Sequence, residues 1–275
     1  MTPEISVIIT TYNQEAWLEK TLMGYACQRF RDFELVIADD GSRHATRALI
    51  DGFRPRFRHP IRHVWHEDDG FRKTVILNKA IGEAAAGYLV FTDGDCIPRA
   101  DFLEIQMRLR RPGRFLSGSC VRLPMAVSVV ICADDIDSGR CFEAGWLHAH
   151  GMPKISWRLT ASGAMARALD ALSPTGAEFY GNNASCWKAD ALRVNGFDER
   201  MRYGGLDWEF GDRLKQAGVR GLRARYRAIV VHLEHERGYA DPERIARNRE
   251  IWDAARAAKS AWTGHGIVKG GSAFR

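Results

Sequence analysis

The sequence predicts an α/β fold, with a mostly parallel sheet flanked by helices and assembled from strand–helix–strand units. Three observations carry this reading. Apolar runs of strand length alternate with stretches of helical spacing over the first hundred residues. Three of those runs empty into polar clusters, Thr10-Thr11-Tyr12-Asn13, Asp39-Asp40-Gly41-Ser42 and Asp93-Gly94-Asp95. The chain of 275 residues, 45% hydrophobic and 27% charged, has the makeup of an ordinary globule large enough for one sizeable domain.

The elements follow in order. Residues 5–10 form a first strand, and residues 15–27 a helix on the spacing of Trp17, Leu18, Leu22 and Tyr25. A second strand over 33–38 is followed by a polar turn and a helix over 45–53. The third strand covers 61–65, the third helix 75–86 and the fourth strand 88–92. Alternation at this spacing implies a parallel sheet, in which ligands bind at the carboxyl ends of the strands. The three polar clusters then meet on one edge. The second half is less regular: a helix over 99–110, a strand over 115–121, and helical pieces without a clear period from 124 to 178. Further strands over 182–188 and 228–232, a helix over 206–216 ended by Gly218, and an arginine-rich helix over 241–258 complete the chain. The glycine-rich tail after Trp262 is expected to be mobile.

Composition narrows the function classes. The formal charge is +6, carried by 32 arginines and 8 lysines, with dense basic stretches at 54–62 and 220–227. A solvated face is the plain reading; attraction to an anionic membrane surface or phosphorylated acceptor is the sharper one. The basic residues follow no nucleic-acid module, so no nucleic-acid partner is expected. The longest apolar stretch, 123–133, is too short to cross a bilayer. Six cysteines lack metal-like spacing, and the N-terminus has no apolar core of an export signal. Together these lead to the expectation of a cytoplasmic protein with reduced thiols, peripheral at most to the inner membrane face.

The most informative residues are Asp93 and Asp95. In an extended chain, residues two apart point to the same side, so two carboxylates would sit together and call for a cation or a bound hydroxyl. The glycine between them allows close approach to the backbone.

The runs ISVIITTYN (5–13), FELVIADDGS (33–42), LNKA (77–80) and TDGD (92–95) resemble the inverting family 2 glycosyltransferases. The resemblance implies the GT-A fold, a Rossmann-like nucleotide-binding half joined to an acceptor-binding half. GNN (181–183), NGFDE (195–199) and GGLDWEF (204–210) are similar to the galactosyltransferase-type region of bacterial chondroitin polymerases and polypeptide N-acetylgalactosaminyltransferases. The matches spread over residues 4–235. They divide the chain into a domain over 1–240, with halves 1–98 and 99–240, and a C-terminal helix and tail over 241–275.

The resemblance also implies roles. Asp40 accepts the imide N–H of a uracil ring, with Thr10 and Tyr12 lining the base pocket and Arg72 contacting the nucleotide or its phosphates. Asp93 faces the ribose, whereas Asp95 ligates Mn²⁺ or Mg²⁺, with His232 completing the metal shell and His235 as its competitor. Asn182 and Asn183 approach the donor sugar. Inverting transfer needs a base on the acceptor side, assigned to Asp207 with Glu209 in reserve, while helix capping is the alternative role of Asp207. Leu206 stands where related sequences commonly carry Glu, which removes a possible acceptor contact. The implied activity moves a sugar from a nucleotide donor, most simply a UDP-sugar, to a hydroxyl of a glycan or lipid-linked acceptor in bacterial surface polysaccharide or lipopolysaccharide synthesis. Two rivals are a sugar nucleotidyltransferase, which should carry a Gly-rich basic loop after strand one, and a non-catalytic glycan- or nucleotide-binding module.

Overall fold

The computed structural model describes residues 2–236 and 241–270. Its strands are β1 (Ile5–Thr11), β2 (Phe33–Asp39), β3 (Arg62–Trp65), β4 (Tyr88–Asp93), β5 (Cys96–Pro98), β6 (Arg114–Ser117), β7 (Ser119–Arg122), β8 (Ala184–Trp187), β9 (Arg220–Arg223) and β10 (Ile229–His232). Helices α1 (Glu15–Ala26), α2 (His44–Phe53), α3 (Lys73–Glu83) and α4 (Phe102–Leu109) belong to the strand–helix alternation. Five short helices follow, α5 (Met125–Val130), α6 (Ala133–Asp137), α7 (Ala144–Ala149), α8 (Trp157–Thr160) and α9 (Gly163–Leu172). The last three are α10 (Lys188–Arg193), α11 (Leu206–Gln216) and α12 (Pro242–Ala257).

Seven strands form one sheet in the order β3-β2-β1-β4-β8-β6-β9. Strands β1 to β4 pair in parallel, as the alternation predicts. Every residue of β1 and β2 except Thr10 is buried, which fits strands covered on both faces. Strand β8 runs antiparallel between β4 and β6. That reversal brings residues 180–183, which lead into β8, to the carboxyl end of β4. A second sheet, β5-β10-β7, stands apart from the first.

Several boundaries differ from expectation for physical reasons. The single strand expected over 115–121 is two strands in different sheets, broken at Gly118. A Cβ at Gly118 would overlap the Asn183 side chain, so the chain bends there to let that amide in. The helix expected from residue 99 starts at Phe102 because Cys96–Pro98 is drawn into a strand against β10. Helix α3 stops at Glu83, three residues early. The N–H of Ala85 donates to the buried Glu34 carboxylate at 2.6 Å, and that of Ala86 to Ser6 Oγ at 2.9 Å.

The C-terminal helix is no loose appendage. Asp241 caps α12, accepting from the N–H of Glu243 at 3.0 Å, and Pro242 occupies the first turn. Asn248, 2% exposed, donates to the carbonyls of Arg202, Tyr203 and Gly204 at 2.8–2.9 Å, so α12 clamps the loop leading into α11. The tail is likewise docked over its described length. Asn195 donates to Thr263 O and Val268 O at 2.6 and 2.9 Å, and Thr263 Oγ1 donates to Asp198 at 2.6 Å. The expectation of a mobile tail is therefore corrected for 263–270, while 271–275 lie outside the described residues. No described helix is long and apolar enough to cross a membrane.

Candidate active site

The sheet brings the three polar clusters to one edge. Thr10 lies opposite Asp93 in the β1·β4 ladder, and Thr11 opposite Asp39 in β1·β2. Gly94 donates its N–H to Thr10 O at 2.8 Å, and a Cβ there would meet that oxygen at 3.0 Å. The chain turns at Gly94 and Asp95 rather than continuing extended. Asp93 and Asp95 therefore do not act as the side-by-side pair that an extended chain implies; each takes its own partners.

Asp93 Oδ1 accepts from Thr10 Oγ1 at 2.7 Å and from Lys73 Nζ at 2.6 Å. Burial opposes charge on both groups, but each charge favours the other. The Asp93 pKa is lowered by Lys73 and Thr10, and the Lys73 pKa is raised by Asp93, Asp207 and Asp95. Lys73 opens α3 and was not expected at the site. The hydroxyl of Thr10, expected to line a base pocket, is spent on positioning Asp93. Lys73→Met should cost about 1–3 kcal/mol in urea unfolding at pH 7, a partly exposed version of breaking a buried pair. The double change with Asp93→Asn should cost less than the two single losses added together.

Asp40 is 8% exposed at the end of β2. Its Oδ1 pairs with His66 Nε2 at 2.7 Å and its Oδ2 accepts the backbone N–H of Arg72 at 2.9 Å. Burial raises its pKa, and the Arg72 N–H and His66 limit the rise. The Arg72 guanidinium donates to Glu67 O at 3.0 Å and lies 3.4 Å from Asp69, its Nε is buried without a partner among the described residues, and its charge also helps to hold the Asp40 pKa down. Tyr12 is half-exposed just past the end of β1, and its hydroxyl donates to Asp68 at 2.8 Å.

Asp95 meets two histidines. His235 Nε2 lies 3.0 Å and His232 Nε2 3.6 Å from Asp95 Oδ2, and the two rings stack at 5.6 Å. The three ligand atoms lie within 4.8 Å of one another. One carboxylate oxygen and two imidazole nitrogens suit a first-row divalent cation such as Mn²⁺ better than Mg²⁺, which prefers oxygen throughout. His232 and His235 are partners in this cluster rather than competitors.

Asp207 is the second residue of α11, whose N-cap is Gly205 at φ +80°, so it does not cap the helix. Its Oδ1 is buried without a hydrogen-bond partner among the described residues. A Cβ on Gly181 would lie 2.5 Å from that oxygen, so glycine is what lets the backbone before β8 lie against the carboxylate. Burial pushes the Asp207 pKa up to about 6, with Lys73 opposing and Asp93 adding to the rise. Leu206 turns into the core beneath.

Two expected sugar contacts are corrected. Asn183 is fully buried, its amide donating to Ser119 O and Ala228 O at 2.9 Å, so it joins the two sheets instead of facing the cleft. Glu209 is 1% exposed and holds buried Arg213 through both oxygens, at 2.6 and 2.8 Å, which removes it as a reserve base. Asn182 remains in the open, lining a cavity of about 470 Å³ and donating to Cys120 Sγ at 3.4 Å.

Residues 6–114 match Glycosyl transferase family 2, and residues 165–236 match the N-terminal domain of galactosyltransferase. The chain belongs to glycosyltransferase family 2. The first match ends within β6, and the second contains Gly181, Asp207 and His232. This family 2 chain is 30% identical over 230 residues to validoxylamine A glucosyltransferase of Streptomyces hygroscopicus subsp. limoneus, covering 79% of the chain and 49% of that protein. It thus spans about half the length of the curated relative it matches. Staphylococcus aureus TarS in complex with UDP-GlcNAc superposes with a TM-score of 0.59 at 15% identity, over 91% of this chain and 66% of that one. The mannosyltransferase PcManGT of Pyrobaculum calidifontis, in complex with GDP-Man and Mn²⁺, gives 0.55 at 20% identity, over 94% and 63%. These two likenesses establish the GT-A fold.

Proposed function

We propose that this chain is an inverting, metal-dependent glycosyltransferase that moves a sugar from a nucleoside diphosphate donor, a UDP-sugar, to a hydroxyl of a glycan or lipid-linked acceptor. The observation that carries the reading is the unpartnered, buried Oδ1 of Asp207, beside Lys73 and Asp93 in its electrostatics. A carboxylate oxygen left without a hydrogen-bond donor at the first turn of a helix, while the Gly181 backbone N–H steadies the group, is suited to accept a proton from an incoming hydroxyl. As that hydroxyl oxygen bonds to the anomeric carbon, the carbon–oxygen bond to the diphosphate breaks and its electron pair leaves with the nucleotide.

The other residues divide the remaining work. Asp40 and Tyr12 bind the base, Asp93 the ribose with Lys73 and Thr10 holding it in place, and Asp95, His232 and His235 would hold Mn²⁺. When bound, the cation neutralises charge on the departing diphosphate. Retention of Asp95, Asp207 and His232 together speaks against a non-catalytic binding module. The Thr-Thr-Tyr-Asn end of β1, where a nucleotidyltransferase needs a Gly-rich loop, speaks against that rival. The setting we infer is surface polysaccharide or lipopolysaccharide assembly at the cytoplasmic face of the membrane.

Thermal unfolding with UDP, GDP, CDP and dTDP, each with and without Mn²⁺, tests the reading. UDP with Mn²⁺ at a hundredfold over its Kd should add about 2.7 kcal/mol, which for a chain of this size raises Tm by roughly 5–10 °C. If no nucleotide shifts the transition, the proposal fails.

A further inference from the structure

The cavity of about 470 Å³ beside Asn182 is walled by β7, the segment before and into α8, the approach to β8 and the turn after β9. Arg122, Arg158 and Arg225 line it, and no carboxylate among the described residues does. Arg225 differs in this from two neighbours in the 220–227 basic run. Arg227 is paired with Asp170 at 2.5 Å, and Arg223 donates to the carbonyls of Asp170, Ala171, Ser173 and Thr175. Both are consumed in holding the 170–175 segment.

The three cavity arginines lack such neutralisation. Arg158 donates one N–H to Cys120 O at 2.9 Å, and Arg225 donates one to Thr175 Oγ1 while its Nε is buried with no partner among the described residues. None of the three forms an ion pair among the described residues. Burial, and then the neighbouring Arg225, lower the pKa of Arg158. Arg158 and Arg225, both partly buried, are like charges whose proximity is costly unless an anion arrives, Arg122 is exposed, and guanidinium groups suit the oxygens of phosphate and carboxylate.

The position of the cavity gives the anion its owner. Arg122 lies opposite His232 in the β7·β10 ladder, and Asn182 follows the Gly181 that abuts Asp207. In the sheet order, the cavity lies past β4, on the opposite side from Asp40 and the β1–β2 strand ends. The base-binding groups Asp40 and Tyr12 are thus on one side of Asp93 and the arginines on the other. Its volume admits a sugar unit together with a charged substituent.

We propose that this cavity binds a phosphate or carboxylate group of the acceptor, so that the acceptor hydroxyl is presented to Asp207 by an anion held on Arg122, Arg158 and Arg225. The proposal rests on Asp207 being the base on the acceptor side.

Calorimetric titration of the full chain with glucose 6-phosphate, glucose, UDP with Mn²⁺, UDP-glucose and UDP-glucuronic acid tests it at fixed ionic strength. Glucose 6-phosphate should bind and glucose should not. Arg225→Gln and Arg158→Gln should each weaken glucose 6-phosphate at least about tenfold, the loss of one charge-assisted contact, with UDP affinity unchanged within about twofold. Arg158→Lys, which keeps the charge, should retain most of the binding and shows that the effect is not unfolding. If the glutamine variants weaken UDP equally, the cavity serves the donor diphosphate and the proposal is overturned. Selective loss of UDP-glucuronic acid over UDP-glucose would move the anion to the donor sugar, which also overturns it. Absence of glucose 6-phosphate binding with UDP binding intact sinks the anion site alone. Absence of UDP binding in the wild type sinks the glycosyl-transfer reading beneath it.

Discussion

Asp207→Asn should lower kcat by about 10²–10⁴-fold, the range of general base catalysis, while leaving donor affinity within about twofold. The base must be ionised to accept a proton, so wild-type kcat/KM should fall about tenfold per pH unit below about 6, where burial has placed its pKa. The residual activity of the variant should lack that limb. The same substitution should make the fold more stable at neutral pH. A carboxyl whose folded pKa lies above its unfolded value binds more protons in the native state, so stability declines as pH rises between about 4 and 6 and stays reduced above. Asparagine carries no such penalty. Its gain, up to about 3 kcal/mol at pH 7.5, should vanish below pH ~4 in urea titrations. Unchanged turnover would remove Asp207 as the base.

Chelation should abolish turnover, and Mn²⁺ should restore it more fully than Mg²⁺. His232→Ala and His235→Ala should each weaken Mn²⁺ binding, read by electron paramagnetic resonance of the free ion, by roughly 10–100-fold. Changes to groups that merely support metal ligands already cost that much. Asp95→Asn should do the same, because it removes the carboxylate that joins the two histidines among the described residues. Binding of UDP without metal should be unaffected in all three, since Asp40 and Tyr12 lie at other strand ends. If neither histidine variant alters Mn²⁺ affinity, the cluster is a structural contact and not a metal site.

Much of the first hundred residues was legible because their signals are local. Apolar runs of 5–7 residues ending in Asp or Thr can only be central strands of a covered sheet, and their ends must share an edge. The second half was less legible, because its decisive contacts are made by single polar side chains across long separations. Nothing near Asn183 announces that its amide meets carbonyls 64 and 45 residues away. Asn78 similarly reads as part of a helix motif, yet it is spent on Phe197, accepting its N–H at 2.7 Å and donating to its carbonyl at 2.9 Å. Glu209 looked like a second base because it is two residues from Asp207. In a helix, however, that spacing puts it on another face, where Arg213 one turn on captures it.

The sequence by itself determined the α/β fold, the carboxyl edge on which the site is built, and the carboxylates Asp40, Asp93, Asp95 and Asp207 that gather there. Tertiary structure alone decided how those carboxylates are used. The turn at Gly94 separates Asp93 from Asp95, Lys73 reaches back from α3 to one of them, and His235 joins His232 on the other. Side-chain charge is written in the chain, but its partner, and with it the proton or metal it holds, depends on distances of a few ångströms that only packing sets.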